Sequence, residues 1–223
     1  MNPARLLLAT RNPHKLVELR RILAASDISG VQVIGLDDVP PFPEVPETAA
    51  TFADNALAKA RAAVAATGLA TVADDSGLEV DALGGMPGVL SARWAGRHGD
   101  DAANLQLVLD QLADVPDDRR GAAFVCVAAL VVPSAAQVSG MQISGAQVSV
   151  TQLSGTQTVV HGRWRGALTR VARGSNGFGY DPIFVPDGER RTSAELDPAE
   201  KDAVSHRGQA LCALLPVLRE MVA

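Results

Sequence analysis

The chain has 223 residues, enough for one domain or two closely joined lobes around a sizeable core. Twenty Lys and Arg against 25 Asp and Glu leave a formal net charge of −5, which excludes the basic surface of a general nucleic-acid binder but allows a local basic pocket for one phosphorylated ligand. With 47% hydrophobic but only 4% aromatic residues, the chain reads as soluble and globular with a core of Ala, Val and Leu, and its two distant cysteines, Cys126 and Cys212, exclude a disulfide framework or a cysteine zinc site and read as buried thiols.

The apolar run 5–9 reads as a buried strand that ends in Thr10-Arg11-Asn12-Pro13. Pro13 then opens a helix over 14–25, with Leu16, Leu19, Ile22 and Leu23 at helical spacing. A strand end running into a helix start offers unpaired backbone N–H groups and a positive dipole end, and Lys15 adds a point charge. Such a start can cradle phosphates, although no Walker loop is present; it can equally be an ordinary polar helix start.

Residues 31–35 read as a second strand, and the proline-rich, acidic stretch 37–51 as an exposed loop carrying Glu44 and Glu47. Thr51 caps the next helix, Asp54 sits in its first turn and Gly68 ends it. On that helix Asn55 and Lys59 are four apart and share a face, either a solvated stripe or a polar face turned to a site.

Residues 70–73 read as a strand ended by Asp74-Asp75-Ser76-Gly77, and 79–83 as another short strand before the turn 84–88. Two adjacent carboxylates can hold a hard cation and polarise a water, or form a solvated turn. A helix follows over 101–112 and a long β-type run over 122–132, and strand character resumes at 158–161. Between these two strands, Gln137, Gln142, Gln147 and Gln152 open four copies of a five-residue unit and Gln157 opens a fifth. The expected form of 134–157 is a low-complexity extension of a hairpin loop, tolerated rather than functional; its odd period would alternate the Val, Ile and Leu positions between strand faces.

In the stretch 174–182, three glycines interleave with Phe178 and Tyr180, which suits either close approach to a purine or a glycine-rich turn with two core aromatics, and Asp181 is held extended by Pro182. Residues 198–221 read as helical with a possible break near Pro216, and Lys201, Ser205, His206 and Arg207 gather donors in an otherwise acidic chain.

The order of these clusters decides more than any one of them. Thr-x-Asn-x-x-Lys at 10–15, Thr-Phe-x-x-Asn-Ala-x-x-Lys-Ala at 51–60 and Ala-Asp-Asp-Ser-Gly-Leu at 73–78 closely resemble the non-canonical purine nucleoside triphosphate pyrophosphatases, the inosine/xanthosine triphosphate pyrophosphatase family. The resemblance continues through Leu-Gly-Gly-Met-Pro-Gly at 83–88, Ser-Ala-Arg at 91–93, Gly-Phe-Gly-Tyr-Asp-Pro-Ile-Phe at 177–184 and Ser-His-Arg-Gly-Gln-Ala at 205–210, and it omits only the pentapeptide segment. Arg11 departs from the pattern, which commonly has a small residue there.

The resemblance implies a single α/β domain over residues 1–223, with a long, mostly antiparallel mixed sheet and two lobes around a nucleotide cleft. It implies Mg²⁺-dependent hydrolysis of dITP, ITP and XTP to the monophosphate and pyrophosphate by a homodimer. Asp75 then acts as general base and metal contact, with Asp74 and Glu47 (Glu44 left open) at the metal. Lys15 and Lys59 act on the triphosphate with Asn12, and Thr10, Pro13, His14 and Asn55 are further substrate-binding candidates, as is Arg11, which either adds a phosphate contact or points to solvent. Ser76, Arg93, Phe178, Gly179, Tyr180, Asp181, Lys201, His206 and Arg207 contact the nucleotide. No run approaches a membrane span, and the short N-terminal apolar stretch is no signal peptide, so the expected setting is cytoplasmic, without membrane or nucleic-acid polymer as partner. The alternatives are a nucleotide sensor without turnover and a Maf-type pyrophosphatase of other specificity.

Overall fold

A computed structural model describes residues 3–26, 28–134 and 155–222. In chain order its elements are β1 (Ala4–Leu8), α1 (Pro13–Ala24), β2 (Val31–Ile34), α2 (Phe52–Thr67), β3 (Ala70–Val80), α3 (Asp101–Gln111), β4 (Gly121–Val132), β5 (Thr156–Leu168), β6 (Phe184–Pro186), α4 (Pro198–Val204) and α5 (His206–Val222), with short 3₁₀ turns between them. Hydrogen bonding orders the strands β2-β1-β3-β4-β5-β6. β1 runs parallel to β2, with Leu7 opposite Ile34, and parallel to β3, with Leu7 opposite Thr71. β5 and β6 are antiparallel, with Ala167 opposite Val185. The sheet is therefore mixed, as the resemblance implies, and the fold is α/β, as the element pattern alone leads one to expect.

The chain divides into two compact units, Met1–Asp74 with Val127–Val160 and Leu211–Ala223, and Asp75–Cys126 with His161–Ala210. The division falls inside β3, β4, β5 and α5. In the first unit, α2 packs through small side chains. Ala56, Ala60 and Ala63 on α2 are fully buried at helical spacing and pack with Ala73, Ala129, Val131 and Leu7. Thr51 caps α2 by accepting the Asp54 N–H, and Gly68 ends it at φ +68°, a left-handed turn that favours glycine. The second unit holds the aromatic core. Phe124 packs edge-on against Phe184 at 4.7 Å between centroids, and Trp164 lies 5.4 Å from Phe184.

Four local expectations need correction. β3 does not stop at residue 73 but continues through Asp74-Asp75-Ser76-Gly77 to Val80, and 81–83 is a 3₁₀ turn. These four are turn formers in isolation, but pairing and burial within the sheet override that preference. β5 is longer than the expected 158–161, and β6 is an additional short strand. The C-terminal helix breaks at Ser205, which is extended (φ −68°, ψ 159°), while Pro216 lies inside α5. Ser205 Oγ accepts the N–H of Gly208 at 3.0 Å and so restarts the helix. Cys126 is buried but Cys212 is exposed, because Leu211, Leu214 and Leu218 take the buried face of α5. Residues 137–154 of the repeat lie outside the described residues; β5 begins at Thr156.

Candidate active site

In the first unit, the polar residues collect where β1 runs into α1 and along α2. Asn12 caps α1, its Oδ1 accepting the His14 N–H at 2.9 Å, and Thr10 Oγ1 accepts the Asn12 N–H at 3.2 Å. Pro13 occupies the first helical turn, where its missing N–H costs nothing. Lys15 reaches from that turn to β3 and donates to Asp74 Oδ2 at 2.8 Å. Lys59 on α2 donates to the backbone carbonyl of Asp74 at 3.2 Å and pairs with Glu47. Two lysines from two helices thus converge on one aspartate.

Asn55 is buried and its Oδ1 accepts the Ala49 N–H at 3.0 Å. It therefore pins the loop after Glu47 and does more than share a helix face with Lys59. Glu44 instead pairs with Arg11 at 3.2 Å, and both are about two-thirds exposed or more (67% and 70%). The loop carboxylate gathered with Lys59 is Glu47.

In the second unit, Asp75 follows on β3 and is buried at 6% exposure. Ser76 Oγ accepts from Arg207 Nη2 at 2.8 Å. Arg207 also lies 5.5 Å from the Phe178 ring centroid, with Lys201 Nζ at 5.7 Å, so one aromatic face is set among two cations. Asp181 organises this group. Its Oδ2 accepts from Lys201 Nζ at 2.5 Å and from the Phe178 N–H at 2.8 Å, and its Oδ1 accepts from Ser193 Oγ at 2.7 Å. Both Asp181 and Lys201 are buried, and three donors on the carboxylate offset the cost of desolvating it.

Gly179 has φ +62° and donates its N–H to Asp101 Oδ2 at 2.9 Å. Tyr180 donates its hydroxyl to the Ser91 carbonyl at 2.8 Å; burial pushes its phenol well above the usual tyrosine range, and the Asp101 charge adds to that. His206 opens α5 and stacks on Phe124 at 4.8 Å with rings 12° from parallel. Arg93 ends the 3₁₀ helix Gly88–Arg93 and is half-buried. Asp101, Phe124 and Ser193 are not candidate site residues by sequence, and Ser91 enters only as part of the Ser-Ala-Arg motif at 91–93. Asp101 carries only the signal of a helix start, and Ser193 only that of a Thr-Ser-Ala-Glu capping box.

The donors fit a hard cation. Glu47 and Asp74 offer oxygens only, and Mg²⁺ is usually held by one or two carboxylates with water and substrate phosphate completing its octahedron. Among the described residues no three His, Cys, Asp or Glu side chains gather into a ready-made metal cage. A cavity of about 400 Å³ lies elsewhere in the second unit, lined by Leu105, Leu109, Ala113, Arg120 and Arg170 among others, and includes none of the residues above.

The family model described as "Ham1 family" matches residues 6–217. A dITP/XTP pyrophosphatase of Mycobacteroides abscessus is 60% identical over 218 residues, covering 98% of this chain and 96% of the relative. A dITP/XTP pyrophosphatase of Mycobacterium tuberculosis is 59% identical over 217 residues, covering 97% and 96%. Among solved structures, the nucleoside-triphosphatase / dITP/XTP pyrophosphatase from Mycobacterium abscessus matches with a TM-score of 0.70 at 59% identity, covering 95% of this chain and 99% of that one. A HAM1 protein from Coxiella burnetii matches with a TM-score of 0.77 at 40% identity, covering 97% and 99%.

Proposed function

The chain belongs to the Ham1 family, and from that membership we propose that it hydrolyses non-canonical purine nucleoside triphosphates (dITP, ITP and XTP) to the monophosphate and pyrophosphate. The observation that carries the reading is the convergence of Lys15 and Lys59 on Asp74, directly before Asp75 on β3. It is joined by near-full-length identity of about 60% to relatives named dITP/XTP pyrophosphatase. Neither alternative, a sensor without turnover or a Maf-type enzyme, has an observation in its favour.

Lys15 and Lys59, with the capped start of α1, bind the triphosphate. Each lysine exchanges its carboxylate partner for phosphate oxygens, which also frees Asp74 and Glu47 oxygens. These two carboxylates, with Asp75, would hold Mg²⁺, which supplies charge neutralisation on the phosphates. Asp75 takes a proton from water as the new oxygen–phosphorus bond forms at the α-phosphorus. The bond from that phosphorus to the bridging oxygen breaks, and pyrophosphate leaves with the electron pair.

Base choice follows from donors. Phe178 offers a stacking face, and His206 and Arg207 offer hydrogen-bond donors to the 6-oxo group of hypoxanthine or xanthine. Adenine presents an amino group there and leaves buried donors unpaired, a cost of about 1–3 kcal/mol for each. We further infer a homodimer, as the family resemblance implies, and a cytoplasmic setting. In the described residues no helix is long and apolar enough to cross a membrane.

The test is pyrophosphate release from dITP, XTP, dGTP and ATP, with Mg²⁺ and with EDTA, on the wild type and Asp75→Asn. The expected result is metal-dependent release favouring dITP and XTP, reduced by about 10²-fold or more in the variant. Release without base preference would overturn the substrate assignment; binding without release would bring the sensor forward.

A further inference from the structure

The loop 177–181 carries Phe178, yet it has no regular secondary structure before its final 3₁₀ turn, so its conformation depends on individual tethers. Two successive amides are closed on carboxylates. The Phe178 N–H goes to Asp181 Oδ2 within the loop, and the Gly179 N–H goes out to Asp101 Oδ2 at 2.9 Å, on α3. A third tether is the Tyr180 hydroxyl on the Ser91 carbonyl.

The anchor on α3 is itself fixed. Asp100 caps the helix by accepting the Ala103 N–H at 3.1 Å. Asn104, buried one turn on, accepts the Ala95 N–H at 2.7 Å and so ties the first turn of α3 to the chain just after Arg93. The charge of Asp101 makes its bond to Gly179 stronger than one between neutral groups. Removing it leaves the helix cap in place and releases only the loop.

We propose that Asp101 is a positioning residue for the nucleotide base, setting the loop 177–181 through the Gly179 amide so that Phe178 is presented in one orientation. The inference rests on the pyrophosphatase reading, in which Phe178 stacks on the base. Asp101 touches no reacting atom in that reading. Its loss therefore falls on substrate binding, because a loop that samples several conformations binds with an affinity reduced by the fraction that is competent.

The chain has a single tyrosine, Tyr180, so fluorotyrosine incorporation reports this loop alone. Steady-state kinetics with dITP and ¹⁹F spectra are compared for wild type, Asp101→Ala and Asp101→Asn. Asp101→Ala is expected to raise KM about fivefold with kcat within about twofold, and to shift or broaden the Tyr180 resonance. Asp101→Asn keeps an acceptor oxygen and is expected to recover most of both effects. A wild-type KM and an unmoved resonance in Asp101→Ala would overturn the proposal, as would an Asn variant no better than the Ala variant. Absence of dITP hydrolysis by the wild type would instead overturn the pyrophosphatase reading, and the spectra would still decide the tether.

Discussion

The two units hold their lysines in different ways. In the first, Lys59 and Glu47 form an ion pair whose side chains are 19% and 21% exposed. Lys15 and Asp74 form another, 15% and 3% exposed, so its carboxylate is as buried as that of Asp181. In the second, Lys201 and Asp181 are 8% and 3% exposed, and Asp181 also takes hydrogen bonds from Ser193 and Phe178. Water reaches the Lys59–Glu47 pair, so its partners can part at small cost when a phosphate arrives. The Lys201–Asp181 pair is dry and over-determined, so neither member can leave without exposing the other to an apolar interior. In the proposed reading, the Lys59–Glu47 pair exchanges partners when the triphosphate binds. In the same reading, the Lys201–Asp181 pair holds the Phe178 surface rigid before the base arrives, which lowers the entropy cost of binding.

The same substitution in each pair tests this contrast. Lys201→Met leaves a buried carboxylate without its cation and is expected to destabilise the fold by about 3 kcal/mol, read from the urea unfolding midpoint. Lys59→Met leaves Glu47 able to hydrate, and its expected cost is about 1 kcal/mol or less. Its effect should appear in catalysis instead, as a KM for dITP raised about tenfold or more through loss of a charged phosphate contact. Equal destabilisation by the two variants would end the distinction between exchangeable and fixed lysines.

The sequence carried the skeleton of this arrangement in its caps and its periodicity. Thr51 and Gly68 bound α2 where their chemistry predicts, and Asn12-Pro13 opens α1. What it could not carry was the fate of polar residues whose partners are distant in the chain. Asp74-Asp75-Ser76-Gly77 reads as a turn because nothing local hides it. It remains a strand because burial in the sheet is accompanied by Lys15, 59 residues away, on Asp74, and by Arg207, 131 residues away, on Ser76. Asp101 is the same case in reverse. Locally it is one more acid at a helix start, and only the approach of Gly179, 78 residues on, gives its carboxylate a further use. The break at Ser205 was hidden for another reason: proline suggested Pro216 as the breaker, but a capping serine with glycine three residues later restarts a helix as effectively.

A fourth ion pair separates burial from location as the cause of the contrast. Asp81 and Arg165 belong to the second unit, like Lys201 and Asp181, but are half exposed, 50% and 47%, and paired through two hydrogen bonds at 3.0 and 3.2 Å. Hydrogen bonding from Arg165 holds the Asp81 carboxyl below the usual aspartate range. A carboxylate whose folded-state pKa is depressed adds stability above its unfolded value, and that contribution fades as pH falls through the lower folded value. Asp81→Asn is therefore expected to cost a few tenths of a kcal/mol at pH 7, about the ordinary size for a solvated pair. The difference from wild type should shrink as pH drops below about 4, near the ordinary aspartate pKa. It should also shrink in 1 M salt, where the screening length is about 3 Å. Thermal melts of both proteins at pH 7 and pH 3, with and without salt, read all three effects. A cost near that of Lys201→Met would mean that membership of the second unit, rather than exclusion of water, sets the strength of its ion pairs.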